Sequence, residues 1–180
     1  IAQKLASCGC NIVIADLGIA PPSDQSLKSA TSEEMTAIAV ELAKTYGVRT
    51  LAVPVDLTNH QAIAEMVKTI TDSFDHVDIL CNNAGASFGV PNTVLGYDEA
   101  AWIKTIDVNL FSVFRVSRAV IPLMTGKPAS IINTASRAGK VPPIFNSAYA
   151  VAKAGVIMLT KTMAKEMGGS GIRVNAICPG

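Results

Sequence analysis

Charge is scarce in this chain and has no preferred sign. Asp, Glu, Lys and Arg make up 16% of its 180 residues, and 15 basic against 14 acidic side chains leave a formal net charge of +1. Without a basic block there is no electrostatic footprint for nucleic acid or for an anionic membrane surface, and neither is expected as a partner. Long apolar runs are missing too, since Lys, Asn, Pro or Gly interrupts each one well short of a membrane span. Residues Ile1 to Ser7 include Gln3 and Lys4 and do not build the apolar core of a signal peptide, so a cytoplasmic protein is expected. Four cysteines (Cys8, Cys10, Cys81, Cys178) are scattered, and His60 and His76 sit at no metal-ligand spacing. No metal site is expected, and the thiols read as reduced. Neither His adjoins a nucleophile motif, and Gly126-Lys127 lacks the glycine spacing and hydroxyl residue of a phosphate loop. No internal repeat, low-complexity tract or linker divides the chain.

What is present is a 49% hydrophobic composition, enough for one sizeable core and, by default, a single domain over residues 1–180. Helical and extended patterns alternate. A short helical pattern at Ile1, Leu5 and Ala6 stops at Gly9, and Asn11–Ala15 reads as a buried strand. A polar, Pro-containing loop is expected from Gly18 to Ser29. Thr31-Ser-Glu-Glu34 has the form of a capping box for a helix that Gly47 closes after Tyr46. Strands follow at 50–55, 77–81, 130–134 and 172–177. A second capping box is expected at Thr58–Gln61, Asp98 is expected to cap a long helix from about Glu99 to Met124, and a further helix begins near Tyr149. The strands read as near-continuous Val/Ile/Leu runs, as in a parallel sheet covered by helices on both faces. The fold class is therefore α/β, a Rossmann-like doubly wound parallel sheet. In such sheets ligands sit at the carboxyl ends of the strands.

Candidate residues occur at those ends. Asp16 follows a strand and can accept hydrogen bonds from two ribose hydroxyls, or simply make an Asp turn. Asp56 has the same two readings, with the turn favoured. Asn82-Asn-Ala-Gly85 offers amides and a close-approaching backbone, or just a turn. Ser136 can donate to a substrate oxygen or open a polar loop. Asn109 lies inside a helical pattern that disfavours it, so it is either a satisfied buried amide or the holder of a water. Tyr149 and Lys153 stand four apart at a helix start, which places phenol and ammonium on one face. A cation near a phenol favours the phenolate. The structural alternative is a half-buried aromatic beside a solvated Lys.

Together, Asn82-Asn-Ala-Gly85, Asn109, Ser136, Tyr149-x-x-x-Lys153 and Pro179-Gly180 resemble the short-chain dehydrogenase/reductase family, with Ser136 at the family's usual distance ahead of Tyr149. The resemblance implies an NAD(P)-dependent oxidoreductase of the simple type, akin to 3-oxoacyl reductases or to alcohol, sugar and steroid dehydrogenases. Tyr149 would be the general acid/base, Lys153 its electrostatic partner and the holder of the nicotinamide ribose, Ser136 the group that orients the substrate oxygen, and Asn109 the anchor of a relay water. Asn82, Ala84 and Gly85 would line the cofactor, Asp56 with Leu57 would lie near the adenine, and Pro179 and Gly180 would border the nicotinamide. Asp16 would favour NAD over NADP. The family's glycine-rich turn and its substrate loop are expected outside Ile1 and Gly180, which makes the sheet one truncated at both ends and the chain an internal segment. Walls at 87–95 and 137–145 are mostly apolar, which suits a neutral or hydrophobic small-molecule substrate. A homodimer or homotetramer is expected by the same resemblance. The alternatives are a non-catalytic cofactor-binding relative, an inactive fragment, or a nucleotide-sugar epimerase or dehydratase, which also uses Tyr-x-x-x-Lys.

Overall fold

A computed structural model describes residues 1–19 and 29–180, so most of the loop expected from Gly18 to Ser29 lies outside the described residues. These residues form two compact units, Ile1–Ile70 and Thr71–Gly180.

The first unit begins with a short helix, α1 (Ala2–Ala6), followed by β1 (Ile12–Asp16), α2 (Ser32–Tyr46), β2 (Thr50–Pro54) and α3 (His60–Ser73), whose last residues pass into the second unit. The expected capping box at the start of α2 is complete. Thr31 Oγ1 accepts from the Glu34 backbone N–H at 3.2 Å, and Glu34 Oε2 accepts from the Thr31 N–H at 2.8 Å. Gly47 ends the helix in the left-handed conformation at φ 68°. The second box takes a different form. Asn59, not Thr58, caps α3 by accepting from the N–H groups of Gln61 and Ala62, while the Thr58 side chain turns back to donate to Asp56. Strands β1 and β2 run parallel with Asp16 opposite Pro54. Ala6, Ile12 and Leu42 form one buried cluster of the unit, with Leu5, Ile14 and Tyr46 packed around them.

The second unit has a three-stranded parallel sheet in the order β3 (Ile79–Asn82), β4 (Ala129–Thr134), β5 (Ile172–Ile177). Asn82 pairs with Asn133, and Asn133 with Ala176. The long helix expected over 99–124 is present but not uniform. An α-helix, α4 (Glu99–Ile106), runs into a π-helical turn at Asp107–Phe111, continues as α5 (Ser112–Val120), and tightens into a 3-10 turn at Ile121–Met124 where Pro122 falls. Asp98 caps its start by accepting from the Ala101 N–H at 2.8 Å. The last helix, α6 (Ser147–Met167), packs along β4 and β5 on the face of Ile131, Asn133 and Val174. Ala148, Ala152 and Val156 are fully buried there, and their small size lets the helix lie close to the strands. Strand β5 departs from the continuous apolar pattern. Ile172 and Val174 are buried, while Arg173 and Asn175, which alternate with them, are exposed.

Candidate active site

Every candidate in the second unit sits at the carboxyl end of its sheet or in the helices that begin there. Tyr149 lies in the first turn of α6, and one turn later Lys153 is only 3% exposed. Its ammonium lies 5.4 Å from the centroid of the Tyr149 ring and donates to the Thr134 carbonyl at 2.7 Å. Among the described residues no carboxylate pairs with it. Burial therefore acts unopposed and pulls its pKa down to about 8. Ser136 follows β4 in extended conformation, and its Oγ accepts from the Ala138 N–H at 3.1 Å. That leaves the hydroxyl hydrogen free to donate outward.

The π turn explains Asn109. Fully buried, its amide nitrogen donates to the carbonyls of Thr105, at 2.8 Å, and of Ala86. Its Oδ1 is buried with no protein partner. A Cβ added to Gly85 would stand 2.7 Å from that oxygen and 3.5 Å from Lys153 Nζ. Glycine at 85 thus lets the backbone come close to both polar atoms, where a side chain would collide with the Asn109 oxygen. A buried acceptor left unpaired costs roughly 1–3 kcal/mol and calls for a partner from solvent or ligand.

Asn82 and Asn83 divide their labour. The Asn82 amide turns inward to Ser117 and Asn133, so what Asn82 can offer a ligand is backbone. Asn83 is exposed, and its Oδ1 accepts from the Thr134 hydroxyl at 3.1 Å. Ala84 and Gly85 are also exposed. Pro179 is drawn beside Ser136 by a bond from the Arg137 N–H to its carbonyl at 2.8 Å, and Gly180, at φ 129°, is too close to Arg137 Cβ to carry a side chain easily.

In the first unit, Asp16 stands at the end of β1, where its Oδ1 accepts from the Leu17 N–H at 2.7 Å. Asp56 makes an Asx turn, its Oδ1 accepting from both the N–H and the hydroxyl of Thr58, with Leu57 at the crest of the turn. Both carboxylates are therefore held in place locally, as turn residues are.

Two residues of the 137–145 wall hold the site in ways the sequence does not reveal. Gly139 packs on the backbone of α6: a Cβ there would lie 2.7 Å from Lys153 C and 2.8 Å from Ala154 N. Phe145 has φ 65°, a conformation that costs a residue with a Cβ about 1–2 kcal/mol. Its carbonyl accepts from the Asn92 N–H at 3.0 Å, and Asn146 Nδ2 donates to Ser87 Oγ at 3.3 Å, so the two loops with the apolar walls are joined at two points. A close glycine leaves only a generic Gly in the sequence, and a strained aromatic leaves no signal at all.

The model of the short chain dehydrogenase family matches the chain over residues 1–180, and the chain belongs to that family. The D-beta-hydroxybutyrate dehydrogenase of Rhizobium meliloti is 39% identical over 181 residues, covering 100% of this chain and 65% of the relative. A 3-oxoacyl-(acyl-carrier-protein) reductase of Vibrio cholerae is 36% identical over 97% of this chain and 70% of its own length. Among solved structures, carveol dehydrogenase from Mycobacterium avium in complex with NAD superposes with a TM-score of 0.92 at 29% identity, over 99% of this chain and 64% of that one. L-sorbose reductase from Gluconobacter frateurii, complexed with NADPH and L-sorbose, gives 0.85 at 29% identity, over 99% and 63%. The chain thus spans about two thirds of the length of these relatives. The doubly wound α/β class expected from the alternating pattern is the class of these neighbours. No helix among the described residues is long and apolar enough to cross a membrane.

Proposed function

We propose that the chain carries the proton-transfer site of a nicotinamide-dependent oxidoreductase that interconverts a secondary alcohol and a ketone. The observation behind this reading is the Lys153 ammonium, buried beside the Tyr149 ring with no counter-ion among the described residues. A structural lysine would be solvated or salt-bridged. A buried, unneutralised cation next to a phenol favours the phenolate, which is what a Tyr needs to exchange a proton near neutrality. In this scheme Tyr149 gives its proton to the carbonyl oxygen or takes it from the alcohol, while the Ser136 hydroxyl donates to the same oxygen and fixes its position. Asn109 Oδ1 holds a water that passes protons toward Lys153. The nicotinamide, when bound, supplies or accepts the hydride.

Two features support such a group: the exposed backbone at Ala84 and Gly85, the latter with no side chain to keep a ligand away, and the Lys153 hydrogens left over after the bond to Thr134. Lys153 and Tyr149 would hold its ribose, Asn82 through backbone, Ala84 and Gly85 would line it, and Pro179 and Gly180 would border the ring. In the first unit Asp56 and Leu57 would meet the adenine, and Asp16 would receive the ribose hydroxyls and repel a 2′-phosphate, which favours NAD. We take residues 1–180 to serve one dinucleotide-binding domain in a cytoplasmic enzyme. Exposed Val94, Leu95, Ile144 and Phe145 on the flanking loops suit a neutral or hydrophobic substrate. Exposed Phe111, Phe114, Val151 and Met158 on α4–α5 and α6 suit a homodimer or homotetramer.

The test is Tyr149→Phe. Turnover on a panel of alcohols and ketones should fall by about 10²- to 10⁴-fold, with NAD affinity within about twofold of the parent. Undiminished turnover would reject the mechanism.

A further inference from the structure

Beneath the proposed site lies a second set of polar groups that the mechanism does not use. The Asn82 amide nitrogen donates to Ser117 Oγ at 3.0 Å and to Asn133 Oδ1 at 2.8 Å. Asn133 Nδ2 donates to Thr160 Oγ1 at 2.9 Å, and the Thr160 hydroxyl donates to the Val156 carbonyl at 2.7 Å. All four side chains are at least nine-tenths buried. The chain of donors has one consistent arrangement. The single hydrogen of Thr160 is spent on Val156, so Thr160 can only accept from Asn133. Asn133 must then present its NH₂ to α6 and its oxygen to Asn82, whose two hydrogens are both used.

This buried row has a counterpart one residue nearer the site. Asn83 follows Asn82, Thr134 follows Asn133, and Lys153 lies seven residues before Thr160, two turns away on the same face of α6. These three also form a row: the Thr134 hydroxyl donates to Asn83 Oδ1 at 3.1 Å, and Lys153 Nζ donates to the Thr134 carbonyl at 2.7 Å. Asn83 lies just past the end of β3 and Lys153 reaches this set through the Thr134 backbone, so the two sets are one residue apart along β4 and two turns apart on α6.

We propose that the buried row Asn82–Asn133–Thr160 is a positioning device: it fixes α6 in register with β4, and thereby fixes the Lys153 ammonium on the Thr134 carbonyl beside Tyr149. The inference rests on the proton-transfer reading of Tyr149 and Lys153. The physical reason is the difference between apolar and polar contact. Ala152, Val156 and Met163 bury apolar surface against their neighbours, but such contacts change little when a helix slides by a few tenths of an ångström. A hydrogen bond of 2.9 Å between buried groups does not tolerate the slide, since either partner left unpaired is costly. Four buried polar groups add little net stability compared with apolar ones of the same shape, so what they contribute is a defined position.

The experiment compares Thr160→Val, which keeps the shape but leaves an Asn133 hydrogen without an acceptor, with Thr160→Ser, which keeps the hydroxyl. Met163→Ala serves as a control that loosens α6 without touching either row. Two quantities are read on the full chain: kcat against KM, and the ¹⁵N resonance of the Lys153 ammonium in lysine-labelled protein, assigned with Lys153→Arg. Thr160→Val should lower kcat about 10- to 100-fold with KM for NAD within about twofold, and should shift or broaden the ammonium resonance. Thr160→Ser should restore both, and Met163→Ala should lower the melting temperature while leaving the resonance in place. If Thr160→Val lowers only the melting temperature, with kcat and the resonance as in the parent, the row is merely structural and the proposal is overturned. Because the resonance needs no turnover, a resonance that moves in a protein inactive with every substrate would sustain the positioning role and reject the oxidoreductase reading instead.

Discussion

The acidic residues of the first unit and the polar residues of the second are held by opposite means. Asp16 and Asp56 are fixed by hydrogen bonds to residues one or two positions away, and Asp56 is exposed. Asn82, Asn109, Asn133 and Lys153 are buried and are fixed by partners that are mostly distant in sequence, such as the Thr134 carbonyl for Lys153. A turn residue can change without disturbing the fold around it, because its bonds stay within the turn. A residue in a buried row shifts whatever is bonded to it. On the proposed function, selectivity between cofactors would be separable from stability in the first unit, whereas proton transfer would be bound up with packing in the second.

Three substitutions bear on that contrast. The largest effect is expected for Lys153→Met. Activity should drop by more than about 100-fold, the scale of a lost acid/base contribution. Stability should move the other way. Because the folded-state pKa of Lys153 is lowered to about 8 from 10.5, the folded protein binds fewer protons than the unfolded chain between those values. This group's contribution to stability therefore rises as pH increases from about 8 to about 10.5, and below 8 the buried cation is a constant burden. Lys153→Met should thus gain melting temperature over the parent at pH 7 and lose that advantage progressively toward pH 10. Calorimetry across that range checks it, and a gap independent of pH would contradict it.

Gly139→Ala comes next. Its Cβ meets backbone atoms of α6 at 2.7–2.8 Å, which cannot rotate away, so the helix must shift at Lys153. Turnover should fall about 10- to 100-fold, and stability by about 1–3 kcal/mol as in other overpacked sites. Turnover equal to that of the parent would show that the seat of Lys153 tolerates movement, and would narrow the contrast between the units. The smallest effect is expected for Asp16→Ala, which should erode the preference for NAD over NADP by about tenfold, the worth of one charged hydrogen-bonding partner, with an unchanged melting temperature. Denaturation and KM ratios measured on one preparation separate the two readouts. An unaltered ratio would mean that another residue sets the preference.

Local chemistry made much of this architecture legible. The capping box at Thr31, the left-handed Gly47 and the cap at Asp98 are short-range signals, and the helices begin and end there. Tyr149 and Lys153 share a face because four residues make about one turn. What was not legible depends on partners far away in the chain. Even within one turn the pattern misleads, since Thr58 resembles a cap but its side chain points back to Asp56, and Asn59 caps the helix. Asn133 reads as an ordinary polar residue in a strand, and only its three-dimensional neighbours Asn82 and Thr160 reveal the buried row. The crowding of Gly139 against α6 is likewise invisible until both elements are placed.

The π turn at Asp107–Phe111 has a further consequence, one of continuity. Thr105 and Ile106 are buried before it, Asn109 within it, and Val113, Val116 and Val120 after it, so a single core-facing stripe runs through the change of winding. Asn109 therefore stays in that stripe while its amide nitrogen reaches the carbonyls of both Thr105 and Ala86.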